Sequence, residues 1–188
     1  MTPFEFVFAL ISIVTSLAMT KIITGVVAMI RYGDRSTFSL THAIWIWTAF
    51  AIVLGNWGAL WGARLDPDWP LIRVFGWLVS MTSLYAFCAL VVPETEGSAP
   101  LDLKDFHERE SRRYITAHNI FTLVAILVLL ALSGVTAGAV PTIVFPFVAL
   151  VLGIAALRSR GRLQLAASAL TAVLATLFMV TRINLLST

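Results

Sequence analysis

Long apolar runs alternate with short polar breaks along the chain, and the runs are too long for strands. Six of them can be drawn, over residues 4–30, 41–63, 70–92, 102–132, 139–157 and 163–185. Each is close to the length of about 20 residues with which a helix crosses a bilayer. A helix satisfies its backbone N–H and C=O groups internally, which lipid cannot do for them. The breaks carry turn chemistry: Tyr32-Gly33-Asp34, then Asp66-Pro67-Asp68-Trp69-Pro70, then Pro93 with the stretch to Pro100, then Ser133-Gly134 to Gly138, and Ser159-Arg160-Gly161. Pro70 suits the first turn of a helix, where its missing N–H is no loss, and Pro146 inside the fifth run predicts a kink.

The pattern therefore predicts an all-α fold, a polytopic transmembrane bundle of six helices in one integral-membrane domain over residues 1–188. Residues 102–113 interrupt the apolar pattern. They read as a cytoplasmic extension of the fourth helix, with Asp105–Arg109 and Glu108–Arg112 spaced i,i+4 in the favourable order. Leu103 and Phe106 form a narrow apolar edge on this rod, and with Arg109 and Arg113 they are candidate docking residues for another membrane protein.

Composition sharpens this picture. The 188 residues are 59% hydrophobic and 12% charged, with a mean hydropathy of +0.92. So few polar groups could not cover a soluble domain of this size, which excludes an ordinary soluble fold and a nucleic-acid-binding module. The basic pI near 9.5 reflects cations beside the membrane. If the N-terminus lies outside, nine Lys and Arg fall in inner loops, three on the outer side, and Lys21 within the membrane, which accounts for all 13. Under the positive-inside rule both termini then face away from the cytoplasm. The first run lacks a basic leader and a small-residue cleavage site, so it reads as a retained helix. Eleven Arg against two Lys, with much Ala, suggest a bacterial inner (plasma) membrane. Cys88 has no partner in the chain, so no internal disulfide forms. Most tryptophans, Trp45 and Trp47 among them, fall at interface depth, as an aromatic belt would place them.

Few polar residues lie deep in the runs, and these are the candidates for chemistry. Lys21 sits ten residues before Arg31, roughly 15 Å into the first helix. A charge there costs about 2.5–3.5 kcal/mol on insertion scales. Ser12, Ser16 and Thr20 recur every four residues on the same helix and could line a wet path or bond a neighbour. Asn56 is a buried amide on a second-helix face shared with His42 and Trp45. His42 and His118 enter the membrane at similar depth, a pair that could hold haem b or a metal. Gly58 and Gly62 are spaced as GxxxG, which permits close helix approach within or between chains. No HExxH, phosphate loop or Ser–His arrangement is present, so catalysis is not expected. The reading that follows is a small membrane protein forming or gating a path for an ion or small solute as an oligomer. Its alternatives are a non-catalytic subunit of a larger membrane complex and a haem-binding redox protein.

Overall fold

The computed structural model describes residues 3–33, 36–65, 68–94, 101–133 and 140–184. Six helices account for nearly all of them: α1 Pro3–Tyr32, α2 Leu40–Gly62, α3 Leu71–Val91, α4 Leu103–Ser133, α5 Val140–Arg158 and α6 Arg162–Asn184. A short 3-10 turn, Ala63–Leu65, extends α2. The apolar runs thus become helices within a few residues of where they were drawn. The limits expected at 139 and 185, and the turn residues 34, 66–67, 95–100 and 134–138, lie outside the described residues. Among the described residues five helices are long and apolar enough to cross a membrane, while α5 offers the shorter apolar stretch Ile143–Arg158. The molecule is an all-α, multi-pass membrane bundle.

Helix limits follow local chemistry. Asp102 Oδ1 accepts from the backbone N–H groups of Lys104 at 2.9 Å and Asp105 at 3.0 Å, which caps α4. Ser39 caps α2 more weakly, its side chain accepting from His42 N at 3.4 Å. Gly161 opens α6 at φ 58°, a left-handed conformation glycine adopts without strain. One feature has no signal in the apolar pattern: Ser36–Thr37 and Leu101–Asp102 pair as a two-residue parallel ladder. It ties the α1–α2 connection to the approach to α4.

The packing order is not the chain order. α2 packs chiefly on α6, α3 on α4, α4 on α5, and α5 on α6, while α1 leans against α3 and α2. Contacts at the helix ends give the direction of each rod. Phe4 and Phe8 of α1 meet Trp57 and Trp61 of α2 with ring centroids 5.7–6.4 Å apart. Gly25 lies against Val92, just beyond α3. One end of the bundle therefore carries the start of α1 and the end of α6, the described residues nearest the termini, and the opposite end carries the start of α4.

Lipid gives little hydrophobic drive between helices, so close approach and hydrogen bonds hold such bundles together. Gly55 of α2 lies under the Phe178 ring, and a Cβ on Gly58 would meet the Arg182 carbonyl oxygen at 3.0 Å. Gly62 faces open space, so the close-packed pair is Gly55 and Gly58 rather than the GxxxG pair. Trp45 also departs from expectation. It is fully buried, donates Nε1–H to Ser168 Oγ at 3.0 Å, and belongs to the core rather than to an interface belt. Trp47 binds α6 in the same way through Thr176 Oγ1 at 2.9 Å.

The rod differs from expectation on one side. Arg109 pairs with Asp105 at 2.7 Å, as the spacing implied, and Arg113 pairs with Glu110 at 2.9 Å. Leu103, however, is buried, and Phe106 packs edge-on against His42 with centroids 5.1 Å apart. Of the apolar edge read as a docking surface, Leu103 is thus buried and Phe106 lies against the chain's own second helix. Arg109 and Arg113 remain exposed.

Candidate functional site

A cavity of about 270 Å³ lies among α2, α3, α4, α5 and α6. Its lining falls in the half of the bundle that carries the termini: Ile52 to Ala59 on α2, Trp77 and Ser80 on α3, His118 to Leu132 on α4, and Thr171 to Arg182 on α6. Eleven residues separate Thr171 from Arg182, a depth of about 16 Å. Trp77, Phe121, Phe145 and Phe178 form much of the wall. Pro146 of α5 also faces it. The polar groups are Asn56, Ser80, His118, Thr122, Thr171 and Arg182.

Most of these spend their protons inside their own helices. Asn56 Nδ2 donates one N–H to Ile52 O at 2.9 Å, which leaves Oδ1 as an acceptor and the second N–H as a donor. Thr122 Oγ1 donates to His118 O at 2.8 Å, and Thr171 Oγ1 to Ala167 O at 2.9 Å. Their hydroxyl lone pairs remain. His118 is fully buried, with Trp45 and Phe87 edge-on to its ring at 5.3 and 5.4 Å. Its Nδ1 lies 3.3 Å from Asn119 Oδ1. A carbonyl oxygen accepts, so this contact assigns the proton to Nδ1 and leaves Nε2 a bare acceptor. Among the described residues Nε2 has no partner. Gly153 of α5 makes room for the arrangement: a Cβ there would collide with Asn119 Oδ1 and stand 3.0 Å from His118 Nδ1. At the other end of the lining, the Arg182 guanidinium lies 5.6 Å from the Phe178 ring centroid, within cation–π range.

Of the predicted residues, Asn56 and His118 line this cavity. Lys21 does not. It is half-buried at the edge of the α1 face that meets the bundle, and its ammonium has no hydrogen bond or ion pair among the described residues. Ser16 and Thr20 are exposed on the far side of α1. Ser12 Oγ is buried against the bundle without a partner among the described residues. His42 lies outside the lining. Its Nε2 donates to Val91 O at 2.8 Å, and Phe106 and Tyr114 stand against its ring. A row of rings joins the two imidazoles: His42 to Tyr114 at 6.3 Å, Tyr114 to Trp45 at 5.9 Å, and Trp45 to His118 at 5.3 Å. Tyr114 and Trp45 are fully buried, and a haem bridging both histidines would have to displace them. Among the described residues no group of three or more His, Cys, Asp or Glu is placed to hold a metal ion.

Ser80, Thr122, Thr171 and Arg182 were not singled out by sequence. A hydroxyl inside an apolar run signals only that something polar is tolerated there, because Ser and Thr can bond their own helix. The chain matches no protein-family model, no curated protein and no solved structure.

Proposed function

We propose that the protein takes a small solute of mixed polarity into the α2–α6 cavity and forms part of its route across a bacterial inner membrane. The observation that carries this reading is the combination in one cavity of aromatic walls, the unpartnered His118 Nε2 and the Arg182 cation. Ligand sites typically join a mainly apolar lining to a few convergent polar groups. Asn56 and His118 are the polar elements of this path, and the first-helix residues Lys21, Ser12, Ser16 and Thr20 stand apart from it. In this reading both termini face away from the cytoplasm, so the cavity belongs to the outer half. The exposed Ser16 and Thr20 face of α1 is then the surface for self-association.

The test fills the cavity. Wild-type protein in nanodiscs is titrated with an environment-sensitive naphthylamine dye, and Leu129→Trp, which projects an indole into the lining, is titrated beside it. Saturable binding by the wild type and its loss in the variant are expected. Equal binding by both would remove the cavity as the site.

A second reading, a subunit of a larger membrane complex, is favoured by the exposed charged face of the rod, where Lys104, Asp105, Glu108, Arg109 and Arg112 all point away from the bundle. A stoichiometric membrane partner retained through purification, and lost on reversing Glu108 and Arg112, is its expected signature.

A further inference from the structure

The floor of the cavity gathers acceptors, while the Arg182 guanidinium stands at the other end of the lining. His118 Nε2 is a bare, fully buried lone pair. Asn56 presents Oδ1 beside one remaining amide N–H, its other N–H being donated to Ile52 O. Thr122 and Thr171 present lone pairs because their hydroxyl protons are held by backbone carbonyls. Among the described residues no Asp or Glu lines the cavity, so no carboxylate there would pair with a cation. A ketone or carboxylate oxygen directed at His118 Nε2 would meet a lone pair and find no proton there. The complement of this group is a molecule that brings its own proton donor.

The walls define the rest of it. Trp77, Phe121, Phe145 and Phe178 favour a flat, apolar body against their rings. An apolar cavity of about 150 Å³ accepts benzene, so 270 Å³ accommodates one ring with a short alkyl arm. From these features we infer that the cavity selects a small hydroxylated aromatic compound, a phenol with an apolar substituent. Its O–H donates to His118 Nε2, and its ring lies between the aromatic walls. Asn119 and Gly153 are positioning residues in this arrangement. Asn119 fixes the imidazole proton on Nδ1, and the missing Cβ at position 153 lets it do so. The inference rests on the cavity reading above and adds the class of molecule.

The experiment compares two probes of nearly equal shape, 4-propylphenol and propylbenzene, on full-length protein in nanodiscs. The histidine rings carry ¹⁵N. The phenol is expected to bind about 3- to 10-fold more tightly after correction for lipid partitioning, the range one net hydrogen bond supplies. It is also expected to move the His118 Nε2 resonance upfield as the lone pair accepts the proton, and propylbenzene is not. His118→Phe should bring the affinity ratio to about one. Because that ring is fully buried and its replacement bears on folding, the probe pair on wild-type protein is decisive by itself. Equal affinities with an unmoved Nε2 resonance would overturn hydroxyl selection and leave the cavity reading standing. Failure of both probes to bind would overturn the cavity reading and this inference with it.

Discussion

His118 and Gly153 show how one residue's chemistry depends on another's lack of atoms. Gly153→Ala would press a methyl group into Asn119 Oδ1 and against His118 Nδ1. We expect a loss of about 1–3 kcal/mol, typical of an overpacked interior, read as a lower melting temperature in detergent. The α2 glycines give an internally controlled comparison. Gly58→Ala meets Arg182 backbone, which cannot swing aside, and should cost a similar amount. Gly62→Ala meets nothing and should leave the melting temperature unchanged or slightly raised, since alanine exceeds glycine in helix propensity by about 1 kcal/mol. Equal effects at the two positions would contradict the α2–α6 packing described. Asn56 and His118 were legible in the sequence because amides and imidazoles are rare inside apolar runs. Lys21 was the most conspicuous residue by the same logic, yet helical spacing alone cannot say which neighbour a face meets. Here Lys21 stands at the rim of α1, the helix that takes no part in the cavity.

Among the elements, the six helices were legible because apolar length is a coarse signal that many residues share. What periodicity missed was set by distant partners. The rod of α4 looked amphipathic enough to dock something, and it does, onto His42 of its own chain. Leu103→Ala should therefore cost about 2 kcal/mol or more, as a buried leucine truncation does. Asp105→Asn, which breaks an exposed pair, should cost less than about 0.5 kcal/mol. Parallel melts of the two variants check this, and the reverse order would mean that the rod stands free of the bundle. The two-residue ladder between Ser36–Thr37 and Leu101–Asp102 was illegible for the same reason: strand-like pairing so short depends wholly on where the helices deliver the two loops.

For the whole molecule, the charge asymmetry proposes an orientation that the buried thiol makes easy to test. Cys88 is fully buried and should not react with a maleimide. Asp68→Cys and Glu108→Cys each place an exposed thiol, one at the end with the termini and one on the rod. An impermeant maleimide should label position 68 in intact cells and position 108 only after permeabilisation. The opposite pattern would invert the molecule in the membrane and place the cavity in the inner half.

The ladder also has a mechanical meaning. At the rod end, the strand pair ties the α1–α2 connection to the approach to α4, the His42 bond to Val91 ties α2 to the end of α3, and Phe106 of α4 packs on His42, all within a short span. The cavity lies toward the other end. These ties hold the rod end, and the cavity separates α3, α4 and α5 from α2 and α6 toward the other end. Opening of the cavity by thermal motion is expected to leave these ties intact. In the transport reading proposed above, a solute would come and go from one side only, and a complete crossing would need a second event that loosens the fastened end.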